Sequence, residues 1–186
     1  MSRLLIFFLI GAAVCGDVLF YKEIINISIQ DSSGSVEGQL FFKNISSQRR
    51  LPLIFFPFPL DETHPYPHEI KVEGYNYQIC DSGIALIIDF KPEETKILKI
   101  FYRQNFRERS FTYIVKTVRD WKKPLDMAVF NIALPASLKN VKLNYKSTRI
   151  KKDSVNQVYK ISCRKFYPKA DLTIRWGDGR EAIDKE

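Results

Sequence analysis

The sequence is poor in histidine and cysteine, two residue types that many catalytic sites use. Its 186 residues include two histidines, His64 and His68, and three cysteines. There is no Gly-x-Ser-x-Gly motif, and a Ser-His-Asp triad would have to form around one short segment, because both histidines lie there. A glycine-rich loop that could cradle a phosphate is also missing. We therefore expect a protein that is not an enzyme and that needs no cofactor.

The sequence also lacks a segment with clear helical periodicity, and its one long apolar run stands near the start. That run, LLIFFLIGAAV at 4–14, covers eleven residues. At ~1.5 Å per residue it is too short for the ~30 Å hydrocarbon core of a bilayer. With Arg3 before it and small residues at its end, it is typical of a signal peptide at residues 1–15. We expect an exported protein (periplasmic, on the cell surface or secreted) without a transmembrane helix once the signal is removed.

Two endings of this signal are compatible with the sequence. Ala13 and Cys15 are small enough for ordinary cleavage before Gly16. Alternatively, AAVC at 12–15 resembles a bacterial lipobox, in which Cys15 would carry a lipid anchor. The sequence leaves both open.

Two further cysteines, Cys80 and Cys163, remain in the mature chain. In an oxidising compartment they can form a disulfide. Free cysteine is also among the most buried residue types, so two unpaired thiols are the alternative.

Positive charge is in excess. The chain has 29 Lys and Arg against 21 Asp and Glu, and removal of Arg3 with the signal leaves 28 − 21 = +7. Basic stretches lie at 103–109, 122–123 and 146–152. In an exported protein they suit an anionic polymer or a lipid surface of the cell envelope, and we predict no nucleic-acid partner.

Alternation of apolar and polar residues dominates the chain. In VLFYKEIINISIQ (18–30) the apolar residues fall mainly on alternate positions: Leu19, Tyr21, Ile25, Ile27 and Ile29. A turn and VEGQLFFKNIS (36–46) follow, which predicts a hairpin. LPLIFFPFPL (51–60) contains prolines and predicts an edge strand or an extended segment at the rim of a sheet. The whole pattern predicts an all-β, immunoglobulin-like antiparallel β-sandwich of about ten strands over residues 16–180, with a polar tail at 181–186.

One Trp stands between two alternating runs. RSFTYIVKTVRDW (109–121) and LDMAVFNIALP (125–135) predict two long strands around a Pro-containing turn. Both faces of the first run are largely apolar, which predicts a central strand. We expect Tyr113 and Trp121 to serve the core. The alternative is an aromatic platform for a ligand.

The segment DETHPYPHE (61–69) carries the most metal-ligating side chains. His64, His68 and Glu69 are candidate ligands of zinc or a similar ion. Pro65 and Pro67 exclude a helix there, so the alternative is a solvated loop between strands.

One resemblance concerns the fold. FTYIVKTVRDWKKPLDMAVFNIALP (111–135), with NYK (144–146) after it and IFFPFP (54–59) before it, resembles secreted bacterial β-sandwich domains of uncharacterised function. Those domains have a Tyr/Thr strand, a Trp, a Pro-containing turn and an Ala-x-Phe return strand. The resemblance implies a β-sandwich and export, and it transfers no site residue.

These observations predict an exported, non-enzymatic module of the cell envelope with a binding or structural role. The alternative is a metal-binding protein or a metal-dependent hydrolase that uses the segment with His64 and His68.

Overall fold

Strands make up most of the described chain. The computed structural model describes residues 16–177. The predicted signal peptide, the cleavage or lipidation at Cys15 and the polar tail at 181–186 lie outside these residues. Within them, thirteen strands and one 3-10 helix (Lys116–Trp121) follow each other. The strands are β1 (Val18–Gln30), β2 (Ser33–Asn44), β3 (Leu53–Pro57), β4 (Glu69–Val72), β5 (Gln78–Cys80), β6 (Gly83–Ile87), β7 (Thr95–Asn105), β8 (Ser110–Tyr113), β9 (Leu125–Pro135), β10 (Lys139–Leu143), β11 (Thr148–Lys152), β12 (Asn156–Phe166) and β13 (Leu172–Gly177).

The strands form one large sheet and two small ones. The large sheet has seven strands in the order β11-β12-β9-β1-β2-β7-β4. The small sheets have three strands each, in the orders β10-β13-β8 and β3-β6-β5. The predicted all-β class is confirmed, and β3 lies at a sheet edge, as its prolines predict. The prediction of purely antiparallel pairing is wrong between β1 and β9, which run parallel.

The first hairpin contains a bulge that changes which residues of β1 face the core. Phe20 pairs with Phe42 and Lys22 pairs with Phe41, so Tyr21 is an extra residue in the ladder. Such a bulge shifts the alternation by one position. Val18 and Phe20 are therefore buried before the bulge, whereas the alternation seen in the sequence groups Leu19 and Tyr21 with the isoleucines.

The two small sheets cover one face of the large sheet. The Phe56 ring on β3 lies 6.1 Å from the Tyr102 ring on β7. The Tyr113 ring on β8 lies 6.2 Å from the Phe130 ring on β9. The buried core therefore fills the space between the layers, and the opposite face of the large sheet, here called the outer face, is open to solvent.

A glycine sets how closely the layers approach. Gly34 on β2 lies directly beneath the Phe111 ring on β8, and a Cβ at Gly34 would overlap that ring. The absence of a side chain allows the aromatic ring to lie against the backbone of the large sheet.

The segment before Trp121 differs from the prediction. The predicted long central strand at 109–121 is wrong. β8 ends at Tyr113, it lies at the edge of its three-stranded sheet, and a 3-10 helix follows at Lys116–Trp121. Lys122 then takes a left-handed conformation with φ 56°, which turns the chain towards β9. A short apolar run can form either element, so its pattern alone does not separate them.

In residues 16–177 no helix has the length and apolar character needed to cross a bilayer.

Candidate functional site

The outer face of the large sheet carries a depression of about 240 Å³. It lies where the central strands β2, β1, β9 and β12 stand side by side. This outer depression is lined by Asn26, Ile27, Ser28, Ser35, Glu37, Asn131, Ala133 and Val158.

Small side chains on adjacent strands form the outer depression. Ser28 on β1 pairs with Ser35 on β2 on one side and with Ala133 on β9 on the other. Directly opposed residues of neighbouring strands have Cβ atoms about 4.5–5.5 Å apart. Three small residues in one row therefore leave a hollow in the surface of the sheet.

Polar groups without partners surround this hollow. The Asn131 Nδ2 donates a hydrogen bond to the Asn26 Oδ1 at 2.9 Å. Within residues 16–177, the other side-chain polar atoms of this pair have no protein partner, and the same holds for the Ser28 and Ser35 hydroxyls. The outer depression therefore offers donors and acceptors that a polar ligand can use.

A second concave feature lies between the large sheet and the small sheets and contains a carboxyl group. Glu23 on β1 is 2% exposed, and no hydrogen-bond partner of its Oε1 lies within the described chain. Burial raises the pKa of Glu23 to about 8. This carboxyl lines a pocket of about 30 Å³ together with Phe20, Phe42, Tyr113 and Trp121, here called the inner pocket.

Trp121 is a partly buried wall of the inner pocket. Its ring lies 5.9 Å from that of Phe20 and 5.4 Å from that of Phe42. The expectation that Trp121 and Tyr113 pack into the core agrees with these contacts. Both residues also line the inner pocket, so packing and ligand contact are compatible roles for them.

His64 of the predicted metal segment is buried rather than displayed. It is 2% exposed, and its Nδ1 lies 3.0 Å from Asp61 Oδ1 and 2.8 Å from Thr63 Oγ1. Partial burial acts to raise the pKa of Asp61, but hydrogen bonds from Thr63 and His64 outweigh it and lower that pKa to about 2. The His64 ring also packs edge-on against Phe111, with centroids 6.0 Å apart. Through these contacts His64 packs as part of the protein interior.

The other two candidate ligands have different surroundings from this imidazole. His68 is exposed. Glu69 accepts a hydrogen bond from Lys71 Nζ at 2.6 Å and lies 3.7 Å from Arg103. Across residues 16–177, no group of three or more His, Cys, Asp or Glu side chains is placed to hold a metal ion. The structure thus does not bring His64, His68 and Glu69 together.

The metal site remains a prediction that can be tested without disturbing the core. Protein purified without an affinity tag is expected to contain stoichiometric zinc or a similar ion if the site forms, and elemental analysis measures this. His68→Ala combined with Glu69→Gln should then remove the metal with little loss of stability, because His68 is exposed. Metal content that is absent, or unchanged in the double variant, contradicts the prediction.

The two cysteines lie on different sheets. Cys80 is on β5 of a small sheet and Cys163 is on β12 of the large sheet. Both are free thiols in the structure. The sequence left a disulfide and two unpaired thiols open, and in the structure the two thiols are unpaired.

The basic stretches are spread over the molecule. β7, which carries Arg103, and β11 (Thr148–Lys152) have four strands between them in the large sheet. At ~4.8 Å per strand spacing they lie roughly 24 Å apart. An anionic partner would therefore meet several separate basic groups rather than one groove.

Comparisons with known proteins identify the fold. No protein-family model matches the sequence, and no curated protein matches it significantly. The fold of this chain is similar to that of solved structures. One is a protein from Legionella pneumophila, provisionally described as a nutrient binding protein, with a TM-score of 0.64 at 15% identity. The similarity covers 85% of this chain and 66% of that chain.

Two further solved structures share the arrangement of strands. An M1 zinc metallopeptidase from Deinococcus radiodurans has a TM-score of 0.54 at 11% identity, over 86% of this chain and 42% of that one. A protein from Parabacteroides distasonis, provisionally described as a protease, has a TM-score of 0.50 at 8% identity, over 87% and 40%. This chain thus spans less than two thirds of each of these proteins. At such identities the similarity establishes the fold alone.

Sequence reasoning missed both concave features. The signal for Glu23 is present, because Glu23 stands in phase with the buried Ile25, Ile27 and Ile29 on one face of β1. A charged residue at such a position is unusual and marks a candidate site. The outer depression has no comparable signal, since its residues come from four strands whose order the sequence does not state.

Proposed function

We propose that this chain is an exported, non-enzymatic binding module of the cell envelope, and that the outer depression binds a sugar unit of an envelope polymer. The outer depression, with its unpaired amide and hydroxyl groups, is the observation that carries the proposal. Its volume of about 240 Å³ is somewhat below the ~300–1000 Å³ typical of pockets that enclose drug-sized ligands. A single sugar ring is a ligand of suitable size.

The chemistry of the lining favours a polyhydroxylated ligand. Amide and hydroxyl groups can both donate and accept hydrogen bonds, as sugar hydroxyls require. Ala133 and Val158 add apolar contact for the C–H side of a ring. The carboxylate of Glu37 makes an anionic ligand unfavourable at this position. A neutral or amine-bearing sugar is therefore preferred to a phosphate or a uronic acid.

The provisional description of the Legionella protein as nutrient binding is compatible with a ligand-binding role for this fold. Export rests on the apolar run at 4–14, and the absence of a recognisable catalytic motif favours binding over chemistry. The net positive charge would hold such a module near an anionic envelope.

Filling the outer depression tests this function. Ser35→Tyr places a ring in the hollow, while β-strands accept Tyr readily. We expect at least tenfold weaker binding to the purified envelope polysaccharides of the source organism, measured by calorimetry or on a glycan array.

Ser162→Tyr is the matched control, because Ser162 is exposed on β12 and does not line the outer depression. It should leave both binding and stability unchanged. If the two variants behave alike, or if the unmodified protein binds no glycan, the proposed function is wrong.

A further inference from the structure

The inner pocket contains an ionisable group that the proposed function does not use. Glu23 faces the core side of β1, where it pairs with Leu40 on β2 and with Ala128 on β9. Both neighbours are buried apolar residues. A carboxyl group in such surroundings is costly unless a partner satisfies it. Its Oε1 has no partner in residues 16–177.

The inner pocket is small and reaches the surface. Its volume of about 30 Å³ corresponds to roughly two water-sized positions, since one such position takes ~10–15 Å³. Pro57 on β3 and Thr117 and Trp121 on the 3-10 helix line it and are only partly buried. The mouth therefore lies between β3 and the 3-10 helix, with Glu23 at the bottom.

Aromatic rings form much of the wall. The rings of Phe20 and Phe42 stack with centroids 4.9 Å apart, and Trp121 is tilted against both. Phe55, Phe56 and Tyr113 add further aromatic residues to the lining. The face of an aromatic ring carries partial negative charge and attracts cations, most strongly where water is excluded.

We infer that the inner pocket binds a primary ammonium group, carried by a small free amine or by the end of a lysine side chain. A carboxylate supplies the opposite charge and accepts hydrogen bonds from the ammonium group. Aromatic walls favour a cation over an anion. The space for two non-hydrogen atoms suits a nitrogen and its attached carbon, and it excludes a quaternary ammonium group. An apolar guest would leave the carboxyl group unsatisfied.

Binding at this site is coupled to loss of a proton. Burial raises the pKa of Glu23 to about 8, so the carboxyl is mostly neutral at pH 7, and the incoming cation favours its ionised form. The proton passes to the solvent. The other titratable groups that interact with Glu23 are Tyr113, Tyr145 and Cys163. Burial raises the pKa of each of them, so they stay neutral between pH 6 and pH 8.

A titration with methylammonium chloride tests the inference. The indole N–H resonance of Trp121 reports on the inner pocket, and that of Trp176, which packs against Phe106 elsewhere, serves as an internal control. We expect a saturable shift at Trp121 alone. Affinity should rise about tenfold from pH 6 to pH 7 and level off above pH 8, because an alkyl amine stays charged up to about pH 10.

Two variants and three further ligands give the controls. Glu23→Gln keeps the shape of the side chain and should weaken methylammonium binding at least tenfold. Glu108→Gln, at an exposed residue between β7 and β8 that lines neither the inner pocket nor the outer depression, should not change it. Tetramethylammonium and sodium chloride should produce no saturable shift. Nα-acetyl-lysine methylamide distinguishes the source: binding indicates a lysine side chain of a partner, and its failure beside methylammonium binding indicates a small free amine.

Three results would overturn the inference. They are the lack of a saturable shift with methylammonium, an unchanged affinity in Glu23→Gln, and equal binding of tetramethylammonium. None of them bears on the outer depression, so the glycan experiment stands or fails separately.

Discussion

Replacing Glu23 by Gln is expected to increase the free energy of unfolding at pH 7 by about 3 kcal/mol and to leave it nearly unchanged at pH 4. The pKa of this carboxyl is about 8 in the folded protein against an ordinary value of 4.5. The stability of the natural protein is therefore greatest, with respect to this group, below pH 4.5 and declines until about pH 8. From pH 4.5 to pH 7 the carboxyl is ionised in the unfolded chain but mostly neutral in the folded protein, an interval of 7 − 4.5 = 2.5 pH units. Each unit costs the folded state about 1.4 kcal/mol, and this is the loss of stability that Gln avoids.

Urea denaturation at the two pH values measures this effect. Glu37→Gln is the matched control, because Glu37 lies on the neighbouring strand β2 and is exposed on the outer face. It should change stability by less than about 0.5 kcal/mol at either pH. A Glu23→Gln variant whose stability parallels that of the natural protein from pH 4 to pH 7 would mean that Glu23 is not buried as described.

Truncation of Trp121 to Ala is expected to destabilise the protein by about 3 kcal/mol. Its ring packs against Phe20 and Phe42, and loss of a buried aromatic ring costs ~3–5 kcal/mol. Because Trp121 is only partly buried, we expect the lower end of that range. For a domain of this size this corresponds to a decrease in Tm on the order of 10 °C.

Tyr167→Ala provides the comparison for Trp121→Ala. The Tyr167 side chain is 46% exposed and stacks against Arg119, so its removal should change the Tm by only about a degree or two. Calorimetric melting curves of both variants, without added ligand, decide the matter. An unchanged Tm for Trp121→Ala would assign the ring to ligand contact alone.

The sequence predicts individual strands better than it predicts which strands lie side by side. β9 begins and ends where the alternation places it, because it is a long strand with one strongly apolar face. The 3-10 helix at Lys116–Trp121 was missed, since a short apolar run carries no reliable period. The bulge at Tyr21 was missed because a single extra residue reverses the phase of the pattern without leaving a gap in it.

Sites formed across strands are harder to predict. The inner pocket joins side chains from β1, β2, β3 and the 3-10 helix, and the outer depression depends on β1 lying beside β9. Neither adjacency follows from local pattern. A charged residue in phase with buried isoleucines was the one local signal, and it marks Glu23 without revealing which rings surround it.

The parallel contact of β1 with β9 has a consequence for the order in which the chain can fold. Lys22 pairs with Met127, so the partners are 127 − 22 = 105 residues apart. The antiparallel unit β1-β2-β7-β4 is complete in the chain by residue 105, whereas β9 begins only at Leu125. When the chain folds from its amino end, the edge of β1 that pairs with β9 keeps its backbone N–H and C=O groups unpaired until β9 is available. An open strand edge of this kind recruits other chains, and contacts so distant in sequence form slowly. The pairing of β1 with β9 is therefore the folding step at which aggregation competes most directly with folding.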